Sequence, residues 1–199
     1  MKQKNVPQKQ LRIIGGKWRS RKISFLPLDE VRPTTDRTRE TLFNWLQPYI
    51  ENANCLDLFA GSGALSFEAL SRGAKKVIAV DHSNKVIAKL KENAVILQAT
   101  NLELYCFSIP ENLDKIPNLD FDIIFLDPPF IKHLVKLCCE ALEQLKFLKN
   151  RTLIYIEAES NLEIKENIPS SWEILKSSKT KQIGYYLIKK QMINTKLKK

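Results

Sequence analysis

From residue 55 to residue 157 the chain alternates short apolar runs with helical patterns, and that alternation limits the folds open to it. Strand-like runs at 55–59, 76–80, 102–107, 121–126 and 152–157 are interrupted by helical periodicity at 64–72, 84–98 and 131–146. Strands that run the same way need long crossovers, usually helices, so the pattern predicts a parallel sheet with helices on both faces. Two late strands, about 172–176 and 183–190, are joined by a Lys-rich turn at 177–182 and must be antiparallel. Ahead of the sheet, the cap-rich stretch Arg32-Pro33-Thr34-Thr35-Asp36 leads into a helix over roughly Arg37–Leu46. Leu42, Phe43 and Leu46 form its expected buried stripe, with Arg37 and Arg39 placed elsewhere.

A chain of 199 residues with 44% hydrophobic content supports one well-buried domain. The expected division is a basic tail and β-hairpin at 1–31, a core at 32–190 and a basic tail at 191–199. No apolar run approaches the ~20 residues of a membrane span, and the first seven residues contain no apolar signal region. Cys55, Cys106, Cys138 and Cys139 lack C-x-x-C spacing and lie mostly in apolar runs, which reads as reduced thiols in a cytoplasmic protein. The net charge of +10 is uneven: residues 1–22 hold eight Lys/Arg and no acid, as do the residues after Glu173. Basic ends on a mildly acidic body are an electrostatic footprint for a polyanion. Near the first end, Gln10–Ile14 and Trp18–Ile23 flank Gly15-Gly16, a dipeptide suited to a tight hairpin turn. Arg12, Lys17, Trp18, Arg19, Arg21 and Lys22 put cations and one ring on that hairpin, a combination used for looped or single-stranded RNA.

Two motifs carry the chemistry. The segment Asp127-Pro128-Pro129-Phe130 follows the apolar run 121–126, at the strand's C-terminal mouth, where open α/β sheets bind ligands. Consecutive prolines donate no backbone hydrogen bond and keep the chain extended. A flat ring bearing an amine fits there, with Asp127 and the Pro128 carbonyl accepting its N–H groups and Phe130 stacking on its face. Seventy residues upstream, Asp57-Leu58-Phe59-Ala60-Gly61-Ser62-Gly63 runs from a strand through a glycine turn into a helix. The next strand ends in Asp81, placed to grip a ribose diol. A dinucleotide is disfavoured, since Asp57 would repel a pyrophosphate and Ser66 stands where the third glycine of that fingerprint belongs. S-adenosylmethionine, cationic and free of phosphate, suits the carboxylate. No metal is needed. His82 only flanks the expected adenosine pocket, and His133 reads as a solvated helix start.

Residues 32–37, 39–46, 57–65 and 127–130, together with Arg12-Ile13-Ile14-Gly15-Gly16, resemble the RsmD family of bacterial 16S rRNA guanine-N2 methyltransferases. The likeness covers roughly residues 10–190. It implies a class I S-adenosylmethionine-dependent methyltransferase fold, Rossmann-like, with a seven-stranded mostly parallel sheet and a terminal antiparallel pair. Carried over, Asp57, Phe59, Gly61, Gly63 and Asp81 line the cofactor, Asp127 to Phe130 hold the target base, and Arg32 and Arg37 join the hairpin cations on RNA. One departure is Ser108, where the family usually places an acidic residue near the adenine amine. Ser66 and Phe67 also depart, with an effect expected on helix packing alone. The implied partner is 16S rRNA, naked or within a small subunit or assembly intermediate, and the implied enzyme is a monomer. Adenine-N6 methylation through the same tetrapeptide, or a catalytically silent rRNA-binding assembly factor, stay open as alternatives.

Overall fold

The computed structural model describes residues 9–27, 35–131, 133–145 and 148–191. Arg32, Pro33, Thr34 and the outer parts of both basic tails fall outside them. Among the described residues, thirteen regular elements follow in chain order. They are β1 (Lys9–Arg12), β2 (Lys22–Phe25), α1 (Asp36–Leu46), β3 (Asn54–Asp57), α2 (Ala64–Ser71), β4 (Lys76–Asp81), α3 (Asn84–Leu97), β5 (Leu102–Cys106), β6 (Ile123–Leu126), α4 (Leu134–Glu143), β7 (Leu153–Glu159), β8 (Trp172–Lys179) and β9 (Ile183–Lys190). Seven strands make one sheet in the order β5-β4-β3-β6-β7-β9-β8, and β1 and β2 form a separate pair. The pairings among β3 to β7 are parallel, while β7–β9 and β9–β8 are antiparallel. The expected doubly covered parallel sheet with its antiparallel end is what the chain forms.

Side-chain alternation along the strands divides the core in two. Cys55, Val77, Phe125 and Tyr155 face one side, where α1, α2 and α3 deliver Leu42, Phe43, Phe67, Leu70 and Leu90. Leu56, Ile78, Ile124 and Ile156 face the other, against Val135, Cys138, Cys139 and Leu142 of α4. Because both faces are covered, the inner strands read as continuous apolar runs, as buried parallel strands do. Thr35 caps α1, its hydroxyl accepting from Thr38 N at 3.2 Å.

The N-terminal hairpin differs from its expected form. Its strands end at Arg12 and resume at Lys22, and Gly15-Gly16 is not a two-residue turn: the connection contains a 3-10 turn over Gly16–Trp18. Gly15 is extended and only Gly16, at φ 73°, needs glycine's left-handed freedom. A Cβ on Gly16 would also lie 1.8 Å from the Ser71 carbonyl oxygen, so the connection packs directly onto the end of α2. Trp18 is correspondingly buried, with its face covered by the Lys17 ammonium 4.4 Å from the ring centroid. It is a core side chain here, and the expectation of a base-stacking ring on the hairpin is corrected.

Polar side chains hold this docking. Glu68, fully buried on α2, accepts from Ile14 N and Gly15 N, each at 2.8 Å, and from Arg72 Nε at 2.8 Å. Ser71 Oγ accepts from Trp18 N at 2.9 Å and donates to the Gly15 carbonyl at 2.5 Å. Asn93 on α3 brackets Ser24, accepting from its N–H and donating to its carbonyl. Arg39, expected outside the stripe, is 1% exposed: it donates to the Arg12 carbonyl at 2.9 Å and Asp36 at 2.6 Å, with Glu68 at 3.6 Å. Breaking a buried charge pair from one side leaves the other charge unpaired, a cost of about 3–5 kcal/mol. Glu68→Gln is therefore expected to lower urea-denaturation stability by ~3 kcal/mol or more and to open the hairpin to trypsin at Arg19 and Arg21. A loss under ~1 kcal/mol would show that this network is not what holds the hairpin.

Candidate active site

β3 is the strand at which the sheet reverses direction: β4 and β5 lie to one side of it, β6 and β7 to the other. Loops leaving such strands diverge and open a crevice at their C-terminal ends. The loop after β3 stays pinned to both neighbours, through Leu58 N to the Phe125 carbonyl at 3.1 Å and Ala60 N to the Val80 carbonyl at 2.8 Å. It then turns through Gly61 (φ 49°) and Gly63 (φ 78°) into α2. At Gly63 a Cβ would meet Leu90 Cδ2 at 2.5 Å and Phe67 Cε2 at 2.7 Å, so any larger residue would displace the loop from α3.

Two carboxylates flank this turn. Asp81, at the end of β4, accepts from Gly61 N at 3.0 Å and from Ser83 N at 2.8 Å, using one oxygen for each. Each oxygen keeps a further lone pair, so a diol can still bind. His82 is 61% exposed beside it, its Nδ1 3.7 Å from Asp81. Asp57 is 1% exposed, with Oδ2 accepting from the Ser66 hydroxyl at 2.6 Å. Ser66 is thus more than a helix-packing residue; it supports the carboxylate directly. Among the described residues Asp57 Oδ1 is buried without a hydrogen-bond partner. Burial pushes the Asp57 carboxyl up to about 6, against the opposing pull of the Ser66 hydroxyl. Once ionised, above about pH 6, it is a buried carboxylate with acceptor capacity for a cation or a hydrogen-bond donor.

On the other side of β3, residues 127–130 follow β6 as an irregular segment that bends at Phe130. Asp127 is half-buried, Pro128 buried, and Phe130 43% exposed at the rim. The Pro129 carbonyl is engaged by Ile131 N at 2.7 Å. Phe59, on the loop after β3, is half-buried against the cluster that Tyr105 of β5 and Phe107 also pack on. Ser108 is exposed, and its carbonyl accepts from Asn112 Nδ2 at 3.0 Å. Asp57, Phe59, Gly61, Gly63, Asp81 and Asp127 to Phe130 therefore gather on one edge of the sheet, with Ser108 on the loop beyond the outermost strand. Arg12, Lys17, Arg19, Arg21, Lys22 and Arg37 are exposed. The hairpin tip instead sits at the far end of α2, about 12 Å from the glycine turn at ~1.5 Å per helical residue.

This crevice, strand order and terminal strand pair define a class I methyltransferase fold. The family model "Conserved hypothetical protein 95" matches residues 11–189. The chain is 42% identical to "Ribosomal RNA small subunit methyltransferase D" of Buchnera aphidicola, over 88% of this chain and 91% of that one. A solved putative methyltransferase from Escherichia coli superposes with a TM-score of 0.81 at 38% identity, covering 92% of this chain and 99% of that one. A Streptococcus mutans putative methyltransferase complexed with SAH shares the fold alone, with a TM-score of 0.69 at 18% identity, over 94% of this chain and 57% of the other. The chain belongs to the conserved hypothetical protein 95 family, the RsmD family.

Raising a carboxyl on folding stabilises the protonated form. Between pH 3.8 and about 6 the folded state holds a proton on Asp57 that the unfolded chain has already released. That contribution is complete below pH 3.8 and is lost as pH rises through about 6. Asp57→Asn is expected to flatten the stability difference between pH 4 and pH 7, worth up to roughly 3 kcal/mol. Urea titrations across that range check it; parallel curves for the two proteins would mean that Asp57 does not titrate there.

Proposed function

We propose that this protein transfers a methyl group from S-adenosylmethionine to the exocyclic N2 amine of a guanine in small-subunit ribosomal RNA. The observation that supports it most is the placement of Asp127-Pro128-Pro129-Phe130 immediately after β6, the strand that pairs with β3 and its buried Asp57. The name of the Buchnera aphidicola relative, a small-subunit ribosomal RNA methyltransferase, supports the RNA, and the guanine amine is carried over from the resemblance to the RsmD family. In this reading Asp57 faces the amino-acid end of the cofactor, Gly61 and Gly63 admit it, Asp81 takes the ribose hydroxyls, and Phe59 and the Ser108 loop border the adenine.

Guanine N2 is a weak nucleophile because its lone pair is delocalised into the ring. Asp127 and the Pro128 carbonyl accept its two N–H groups and turn the lone pair toward the methyl carbon, while Phe130 stacks on the base. Asp127 takes the departing proton. Catalysis then rests on positioning and preorganised electrostatics. The base has to leave its stack, so a looped or bulged RNA costs least. One domain does this work: a core at 32–190, a basic extension at 1–31 and a basic tail at 191–199, acting as a cytoplasmic monomer on the rRNA or its assembling subunit. Arg12, Lys17, Arg19, Arg21, Lys22, Arg32 and Arg37 contact phosphates.

Asp127→Ala should lower the rate of transfer by about 100-fold or more, the scale of a lost transition-state group, with S-adenosylmethionine affinity close to normal. Incubation with unmodified small subunits, followed by nucleoside mass spectrometry, checks both rate and product. N6-methyladenosine in place of N2-methylguanosine, or turnover within threefold of wild type, would overturn the assignment.

Changing Arg19, Arg21 and Lys22 together to Ala should flatten the slope of log K against log salt for RNA binding by up to ~2–3 units. Arg21 also donates to the Ile96 carbonyl at 2.8 Å, so a small stability loss accompanies the change. An unaltered salt slope would remove the hairpin from the RNA interface.

A further inference from the structure

The chain leaves β3 at Asp57, turns through Gly61 and Gly63, and returns at Ser66, the third residue of α2. There the Ser66 hydroxyl donates to Asp57 Oδ2 at 2.6 Å. Ser66 is 0% exposed and Asp57 1% exposed, so this hydrogen bond closes the base of the glycine turn away from water. The other oxygen, Oδ1, is buried without a hydrogen-bond partner among the described residues. One neutral donor does not offset the cost of a buried negative charge. The protein by itself therefore favours a proton on Asp57, in line with a carboxyl that burial pushes up to about 6.

The charges packed around Asp57 are negative or already engaged. Asp81 of β4 raises it further by its own charge. Cys55, two residues earlier on β3, stays a neutral thiol, because burial holds it above its ordinary range. On α2, Arg72 is paired with Glu68, which also takes the N–H groups of Ile14 and Gly15. On α1, Arg39 is engaged by Asp36, Glu68 and the Arg12 carbonyl, and on α3 Lys89 pairs with Glu92. Burial keeps the Tyr155 hydroxyl of β7 well above its ordinary range. Asp127 follows β6, and His82 lies exposed beside Asp81.

We propose that Ser66 is a positioning residue for cofactor binding: it holds Asp57 by one oxygen and favours its ionised form, so that a cationic cofactor entering beside the glycine turn displaces a proton from Asp57 to solvent. This rests on the S-adenosylmethionine reading above. The balance is a single ionisation: the carboxyl O–H bond breaks, the proton passes to the buffer, and the carboxylate stays with the ligand's positive charge near it. Asp57, at 1% exposure, acts on the ligand by charge across the turn, in surroundings that screen charge weakly. A cation nearby favours the carboxylate and the carboxylate favours the cation, so binding and proton release are linked. The Ser66 hydroxyl eases the ionisation because it donates to the charged form. A serine that only filled space on α2 would leave the pH dependence of binding untouched.

The test is isothermal titration calorimetry of the full-length protein with S-adenosylmethionine, in buffers of different ionisation heat, so that proton release is read directly. Wild type is expected to release about half a proton at pH 6 and less than about a tenth at pH 8, as follows for a carboxyl near 6 that ionises on binding. Asp57→Asn should abolish the release at pH 6, which separates Asp57 from His82. Ser66→Ala should move the acidic decline in affinity to higher pH by roughly half a unit to one unit, weakening binding about two- to fivefold at pH 6 but less than about twofold at pH 7.5. No release by wild type at pH 6, or release that persists in Asp57→Asn, overturns the linkage. If Asp57→Asn does not bind, His82→Gln must keep the release, and its disappearance there overturns the linkage instead. Unchanged affinity in Ser66→Ala, or an equal loss at both pH values, removes Ser66 from the device; Ser66→Gly is read in the same way if the alanine variant does not fold. Absence of S-adenosylmethionine binding to wild type at every pH is a different failure, and falls on the cofactor reading itself.

Discussion

The register between β3 and β6 is the constraint on which the site depends. It sets Asp57 level with Phe125, so Asp127 stands two residues, or about 6–7 Å, further along its strand. A shift of one residue in this pairing would send Asp57 and Phe125 to opposite faces. The continuous apolar character of both strands, buried on each side, does not forbid such a slip by patterning alone. The pins at Leu58 N and Ala60 N, to carbonyls of β6 and β4, help to fix it from the loop.

Charge is partitioned in the same way. The crevice is acidic, with Asp57, Asp81 and Asp127 at the strand ends, whereas the hairpin exposes Arg12, Lys17, Arg19, Arg21 and Lys22. A uniform basic surface would draw RNA into the crevice as readily as a cofactor. The two signs lie about a helix length apart, and the acidic mouth disfavours a phosphate there, which is consistent with the proposed placing of the cofactor in the crevice and of phosphates on the hairpin.

Most of this was legible in the sequence because it depends on local period. Strand runs and helical stripes located all four helices and the seven strands of the sheet, with β9 placed at its full length, 183–190. The glycine turn, Asp81 and the tetrapeptide could be read because each marks the end of a strand. What escaped depends on partners distant in the chain. Arg39 falls in the i, i+3, i+4, i+7 series with Leu42, Phe43 and Leu46, so its burial was signalled by spacing, and only its charge argued against it. Nothing local reveals that Ser66 reaches back to Asp57, or that Glu68 waits for the N–H groups of residues 14 and 15. Trp18 looked like a stacking ring because its neighbours are cations, yet those cations cover an indole that the core had already claimed.

The docking of the hairpin shows why a polar network was used where apolar contact would be simpler. β1 ends at Arg12, so the N–H groups of Ile14 and Gly15 have no strand partner, yet both residues lie half-buried against α2. Buried backbone donors left unpaired cost about 1–3 kcal/mol each, and no apolar side chain removes that cost. A carboxylate accepts both at once, one on each oxygen. Its own charge is then compensated by Arg72 and by the more distant Arg39, which in turn donates to the Arg12 carbonyl. Each group in the network answers a need created by another, and all of them point in fixed directions. Apolar packing would have held the hairpin to the sheet with comparable strength but with freedom to slide. A fixed position relative to α2 is what such a network supplies, and the proposed contact of the hairpin cations with phosphates would depend on it.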